Sequence, residues 1–477
     1  KRPLRNLSDL PIDQKTLWVE SDDTLPLVTR LFNTETKMAW ALGAESLALF
    51  GQRFERLFDP QLSNNLMGRA ADFLGILRTI TAPIGKLKTI SVQHHIHIAP
   101  KLPRLPFLSH GEGDYLFGAQ LVTPQGVTSD HVRFYQSDQL GVPFITKQSE
   151  PIPIAIVLGG DPAQIWSSMI PLPQTLPSYF LANWIRGQAI PLAPAHTIPL
   201  DIPANAEIVI EGWLDPSQTV SESIYDPQKR LSGHETLTLM QVTAITHRDQ
   251  AVCPMISADD RHFMQQATKR LFLPILKLQY ADIVDLQAYF DGDLIIVRAH
   301  TTHAQKILFG LWGTDIAWQN RMMMIVPESI PADDLNGVIY HLFNAVNWGE
   351  ALTVVQGRVD PLLRQNGIKT KIGIDATQTI QPSTEPSARV VSVDGIRDYV
   401  WCGTGLLLLH LEASGDPETI IKALWASGYD CNMIVCDQRV DLAQSEQLLH
   451  QLVYGVMWQE DIWFHQQRIG INATAVR

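Results

Sequence analysis

Cysteine is scarce in this chain: Cys253, Cys402, Cys431 and Cys436 are the four present in 477 residues. Without a Cys-x-x-Cys pair they form no disulfide framework, and the expectation is a reduced, cytoplasmic protein. Cys431 and Cys436 are spaced like metal ligands, but they flank the apolar run Asn432-Met433-Ile434-Val435 with no two further ligands beside them, so they read as buried structural thiols. Long apolar runs are also missing. The stretch 405 to 409 falls far below the roughly 20 residues that cross a bilayer, which predicts no membrane segment. Basic residues are outnumbered, 37 Lys plus Arg against 49 Asp plus Glu, a net charge of −12 that argues against nucleic acid as a partner. No Gly-x-Gly-x-x-Gly fingerprint occurs, so Gly159-Gly160-Asp161 reads as a tight turn. The chain opens on Lys1 with no signal-like core after it, and no export is expected.

What is present is globular: 45% hydrophobic and 18% charged residues, in a length that implies about three domains. Residues 1–90 alternate helical and extended patterns, with apolar spacings of three and four at 39 to 50 and 70 to 79, as in an α/β domain. Residues 91–257 change texture. Short alternating runs at 116–122, 132–135, 152–158, 207–213 and 236–245, broken by Pro and Gly, predict a small β-barrel or sandwich with an inserted helix at 176–186. Prolines crowd 143–203 and stiffen its loops. Residues 258–380 read as helix, strand, helix, strand, helix, a unit with a parallel strand pair.

That unit has an echo. Leu294 to Val297, Leu311-Trp312, Met324-Ile325-Val326, His341-Leu342, Trp348-Gly349-Glu350 and Lys371 to Thr377 recur in order as Leu406 to Leu409, Leu424-Trp425, Met433-Ile434-Val435, His450-Gln451, Trp458-Gln459-Glu460 and Arg468 to Thr474. A turn-rich linker, Gln381 to Ser387, separates them, so residues 388–477 read as a second copy of the subdomain.

Several segments, in order, resemble the UbiD-type decarboxylases, the family of polyprenyl-hydroxybenzoate and ferulic acid decarboxylases. They are Leu31-Phe32-Asn33-Thr34 with Ala39 to Gly43, Ile156 to Ala163, Ile202 to Gly212, Phe272 to Leu276, Ile283-Val284-Asp285 and Lys371 to Thr377. The resemblance implies a mixed α/β and β fold: an N-terminal α/β domain (1–90), a central split β-barrel of the flavin-binding type (91–257) and a C-terminal α/β domain (258–380), here followed by the tandem subdomain (388–477). It implies non-oxidative decarboxylation of an aromatic or α,β-unsaturated acid, such as a polyprenyl-hydroxybenzoate of quinone biosynthesis, with prenylated FMN as cofactor and a homo-oligomeric assembly.

The implied site residues carry over one at a time. The family's acidic loop falls at Glu222-Ser223-Ile224-Tyr225-Asp226-Pro227, which makes Glu222 the proton donor; Asp226 is the second carboxylate if one residue is deleted, Pro227 stands there without the gap, and the flanking glycines are gone. The family's Asn-x-x-x-Tyr-Arg strand falls on His131 to Gln136: His131 replaces a metal-binding Asn, Tyr135 is kept, and Gln136 replaces a substrate-orienting Arg. Gln lacks the charged fork that holds a carboxylate. Ser178 stands where the family has a metal-binding Glu, and 144–150 contains no histidine, so a divalent metal in the family manner is not expected. Lys371 matches the lysine that reaches the cofactor phosphate, and Ser167-Ser168-Met169 the phosphate-side segment.

The plain alternatives stand beside these. Glu222 and Asp226 also suit a solvated turn, His131 a packed histidine, and Lys371 a structural cation, since Arg468 repeats it. The losses at 136 and 178 leave open a catalytically inactive paralogue serving as a binding or assembly subunit. His95 and His97 share one face of a predicted strand, a spacing that metal sites use, with no third ligand nominated.

Overall fold

The computed structural model describes residues 17–21, 24–58, 91–98, 115–136, 139–144, 149–172, 178–225, 232–314, 316–318, 320–357, 370–380, 391, 393–436 and 444–474. The helical pattern at 70 to 79 and Asp226 lie outside them. The chain forms two compact units: 1–222 with 235–275, and 223–234 with 276–477. Among the described residues no helix is long and apolar enough to cross a membrane.

In the first unit, β1 (Leu17–Ser21) and β2 (Thr24–Thr29) form an antiparallel hairpin, and β2 pairs on its other edge, in parallel, with β12 (Cys253–Met255) from much later in the chain. Helix α1 (Glu35–Ala41) starts where the Thr34 side chain accepts from the Lys37 N–H, satisfying one of the free donors of its first turn. Helix α2 (Leu47–Phe58) follows. Phe32, Met38, Leu42, Phe50 and Trp166 share one core with Met264 and Leu271 of α5 (Ala258–Gln279).

The larger sheet of this unit contains β3 (His95–Ile98), β4 (Tyr115–Thr123), β5 (Gly126–Gln136), β6 (Gln139–Val142), β7 (Ile152–Leu158), β10 (Ile208–Tyr225) and β11 (Ser232–His247). Its order is β10-β7-β4-β5-β6-β11-β3, with β10 and β11 also paired with each other, and β3 is an end strand. The region expected as a split barrel is folded as this antiparallel sheet. Both faces of β7 are covered: Ile154, Ile156 and Leu158 enter one apolar cluster while Ala155 and Val157 enter another. That is why the run reads as continuously apolar. Helices α3 (Pro162–Ser168) and α4 (Ser178–Arg186) and the short pair β8 (Leu192–Pro194) and β9 (Asp201–Pro203) occupy the connection between β7 and β10. Helix α4 is the insertion expected at 176–186.

The second unit contains two five-stranded sheets. The first has β13 (Ile283–Tyr289), β14 (Leu294–Ala299), β15 (Met322–Pro327), β16 (Leu352–Gln356) and β17 (Thr370–Asp375), in the order β13-β14-β15-β17-β16. The second has β18 (Ile396–Cys402), β19 (Leu406–Leu411), β20 (Asn432–Cys436), β21 (Ile462–His465) and β22 (Arg468–Ala473), in the order β18-β19-β20-β22-β21. In each, three parallel strands are flanked by antiparallel edges. Helices α6 (Ala304–Trp312), α7 (Leu335–Asn344) and α8 (Trp348–Ala351) serve the first sheet, and α9 (Pro417–Ala426) and α10 (Ser445–Tyr454) the second. One core joins Met324, Ile372, Leu408 and Ile434 across the two, and Trp348 stacks on Trp458 at 6.5 Å.

The ladders correct the sequence alignment of the two sheets by one residue. Leu294 pairs with Met322 and Leu406 with Asn432, so Met323-Met324-Ile325, rather than Met324-Ile325-Val326, stands opposite Met433-Ile434-Val435. A run of three methionines offers no internal landmark, so composition alone does not set that register.

Candidate active site

At the end of β7 the chain turns through Gly159 (φ 73°) and Gly160 (φ 104°), backbone conformations that a side chain disfavours. A Cβ on Gly160 would meet Ala206 Cα at 3.4 Å, so the turn also lies against the segment leading into β10. Asp161 then caps α3: one carboxylate oxygen accepts from the Ala163 N–H at 2.9 Å, and Pro162 supplies a helical φ where no N–H is needed. Its other oxygen meets Arg186 Nε of α4 at 2.8 Å, with both side chains buried. This ion pair locks the two helices together.

Beneath the turn, Gln120 of β4 donates to the Gly159 carbonyl at 3.0 Å and accepts from Gln164 Nε2 of α3 at 2.7 Å. Gln164 Oε1 is left buried without a partner among the described residues. On α4, Asn183 Oδ1 accepts from the Ile190 N–H at 2.7 Å, while its Nδ2 and the Tyr179 hydroxyl are likewise buried and unpartnered. Burial pushes the pKa of the Tyr179 hydroxyl up, so it stays protonated. Buried polar groups are nearly always bonded, so an acceptor, a donor and a hydroxyl left over on two packed helices are unusual.

The structure places the sequence-derived residues as follows. Ser167 and Ser168 end α3, and their hydroxyls donate back to the Gln164 and Ile165 carbonyls at 3.0 and 2.7 Å. Met169 is the C-cap of α3, packed against the core of the first unit. His131, Tyr135 and Gln136 lie on β5, and Glu222 lies within β10, a strand where the sequence pattern reads as a turn; the side chains of these four fall outside the described residues, as does all of Asp226. Ser178, where a metal-binding carboxylate was expected, donates to the Val127 carbonyl at 3.3 Å.

Lys371 belongs to the second unit and is buried there. Its ammonium donates to the carbonyls of Asn320 at 2.9 Å and Ala317 at 3.3 Å, and sits 5.5 Å from the Trp312 ring centre. Desolvation lowers its pKa from 10.5 to about 8, with Asp293 opposing the shift.

Two consecutive family profiles match the sequence: the 3-octaprenyl-4-hydroxybenzoate carboxy-lyase Rift-related domain over residues 122–259, and the C-terminal domain of the same carboxy-lyase over 262–376. The chain belongs to the UbiD family. An uncharacterized protein of Archaeoglobus fulgidus is 24% identical over 397 residues, 74% of this chain and 81% of that one. Among solved structures, vanillic acid decarboxylase of Sedimentibacter hydroxybenzoicus in its closed form superposes with a TM-score of 0.61 at 18% identity, covering 88% of this chain and 91% of that one. The UbiD-class enzyme HmfF of Pelotomaculum thermopropionicum, in complex with FMN, gives 0.58 at 20% identity, covering 80% and 89%. The fold of this UbiD-family chain is therefore the one these decarboxylases share.

The Asp161–Arg186 pair and the Gln120–Gln164 contact went unseen in the sequence. Asp161 was visible as part of Gly-Gly-Asp-Pro, but its partner is the last residue of the inserted helix, and no spacing rule connects the two glutamines.

Gln164 Oε1, Asn183 Nδ2 and the Tyr179 hydroxyl supply an acceptor, a donor and a hydroxyl without partners among the described residues, the group types that the polar edge of an isoalloxazine ring takes. Of the cations singled out above, Arg186 is paired with Asp161, and the Lys371 ammonium bonds two carbonyls of its own unit.

Proposed function

We propose that this UbiD-family chain is a carboxy-lyase that removes carbon dioxide from a small aromatic or α,β-unsaturated acid, with a prenylated FMN cofactor and Glu222 as the proton donor. The observation that carries this reading is the pair of carboxy-lyase profiles matching in order across 122–376. Proteins of the same fold include a vanillic acid decarboxylase, a UbiD-class enzyme in complex with FMN, and an evolved dimeric form of the latter in complex with prenylated FMN.

When bound, the flavin would supply the electron sink for decarboxylation. Gln164, Asn183 and Tyr179 would meet its polar edge, and the Ser167-Ser168-Met169 segment would border it. Glu222 would deliver a proton to the carbon that loses the carboxylate, the general-acid role. Gln136, a neutral amide, would orient the substrate carboxylate by hydrogen bonds without charge, so substrate binding would be weaker than with a guanidinium. We read the two sheets of the second unit as tandem copies of one subdomain and the protein as a homo-oligomer.

The test is co-expression with a flavin prenyltransferase. The absorbance spectrum reports bound flavin, and carbon dioxide release is followed on a panel of cinnamic and hydroxybenzoic acids. Flavin retained and turnover lost in Glu222→Gln is the expected result. A colourless, inert preparation would overturn the reading in favour of an assembly or binding subunit.

A further inference from the structure

The end strand β3 carries His95 and His97 on one face, and its neighbour β11 ends in His247, directly opposite His95 in the ladder. Residues two apart on a strand share a face, as do residues paired across strands, so three imidazoles stand on one side of two adjacent strands. The rings touch. His247 lies 4.7 Å from the His95 ring and 5.3 Å from the His97 ring, nearly parallel to both, and the Nε2 atoms of His97 and His247 are 3.2 Å apart.

The hydrogen bonds settle which nitrogens carry lone pairs. His247 Nδ1 faces the Arg248 carbonyl at 3.0 Å, an acceptor only, so Nδ1 holds the proton and Nε2 the lone pair. The His97 Nε2–H donates to that lone pair. Fixing a histidine through a backbone carbonyl is how ligating imidazoles are held.

We propose that His97 and His247 form a binding site for a divalent late transition-metal ion, zinc foremost, with His95 as the third nitrogen ligand. Two nitrogens 3.2 Å apart, each roughly 2.0–2.1 Å from a shared ion, subtend about 100° at it, close to tetrahedral. The ion takes the place of the proton between the two Nε2 atoms, and that same proton moves to His97 Nδ1, leaving the ring neutral. Each ring tilts from the hydrogen-bonded line toward the common centre. Among the described residues no three ligating side chains already converge on one point, because His95 Nε2 is held by Asp249 at 2.8 Å. Metal binding draws His95 off that carboxylate, which also receives His94 at 3.0 Å and remains beside the site as an outer acceptor. Three nitrogens leave the fourth position of a tetrahedral ion to water. The site rests on residues separate from those of the proposed carboxy-lyase chemistry, and its failure would leave that reading untouched.

The test is titration of the full chain, free of any histidine tag, with cobalt(II), whose visible absorption is intense in a tetrahedral site and weak in water, followed by zinc displacement. A saturable one-to-one band is expected, with affinity reduced roughly tenfold or more in His97→Ala and His247→Ala. His300→Ala, a solvent-exposed histidine of the second unit, should bind as the parent does. Should His247→Ala fail to fold by circular dichroism, His97→Gln on the end strand decides instead. No saturable band in the parent, or a band indifferent to His97 and His247, overturns the proposal.

Discussion

Lys371 and Arg468 occupy the same register position in the two sheets of the second unit, and each turns its cation onto the loop that precedes the middle parallel strand. Lys371 bonds the carbonyls of Ala317 and Asn320 ahead of β15, and Arg468 meets both oxygens of Asp430 at 3.0 Å ahead of β20. The same two loops are also fastened by tryptophan N–H groups, Trp312 to the Asn320 side chain and Trp425 to the Cys431 carbonyl. A cation at this position has structural work in both sheets.

Replacing Lys371 with Met keeps most of the packing over Trp312 and removes two hydrogen bonds to carbonyls that stay buried. Denaturant unfolding should show a loss of about 1–3 kcal/mol. An unchanged midpoint would mean that the ammonium contributes nothing to the fold.

The same lysine predicts a pH dependence. Its folded pKa, about 8, lies below the ordinary 10.5, so between these values the unfolded chain binds more protons and stability rises with pH; below that window the contribution is flat. The stability difference between the parent and Lys371→Met should therefore widen between about pH 7.5 and about pH 10. A difference that stays constant or narrows would contradict the buried cation.

Gly373 and Gly470 are equivalent, and each lies under a tryptophan. A Cβ at 373 would meet Leu308 Cδ1 at 3.0 Å and Trp312 Cη2 at 3.1 Å; at 470 it would meet Ile421 Cγ2 at 2.6 Å and Trp425 Cη2 at 3.0 Å. Gly470→Ala should cost about 1–3 kcal/mol and Gly373→Ala less, read as melting temperatures. The reverse order would refute the packing described.

Asp161→Ala removes a helix cap and strands a buried guanidinium. A loss of about 3–5 kcal/mol is expected, enough to lower expression, while Arg186→Met with Asp161→Asn together should recover part of it. Additive losses in the double variant would argue against a coupled pair.

Tyr179→Phe tests the unpartnered hydroxyl. Removing a buried group that has no partner should leave melting unchanged or raise stability by about 1 kcal/mol. A loss beyond that of an ordinary packing change would mean that the hydroxyl is bonded after all.

Much of the fold was legible because its signals are local. The Gly-Gly-Asp-Pro turn and cap, the covered β7 and the parallel apolar strands Leu294–Ala299 and Leu406–Leu411 follow from periodicity and turn chemistry. The candidate site was less legible, because its geometry is set by partners distant in sequence. Glu222 looked like a turn residue since polar side chains surround it, yet an 18-residue strand carries through it, held by neighbours that a linear pattern does not reveal. The carbonyl partners of Lys371 lie in a loop of no particular composition, so no sequence signal announced them.

The parallel pairing of Cys253–Met255 with Thr24–Thr29 has a consequence for synthesis. Until the ribosome has released the chain beyond Met255, the outer edge of Thr24–Thr29 lacks its mate, so the amino-terminal hairpin emerges early and waits. Closure over so many intervening residues is a non-local contact of the kind that slows folding, and before it forms that edge is an unpaired row of backbone donors and acceptors.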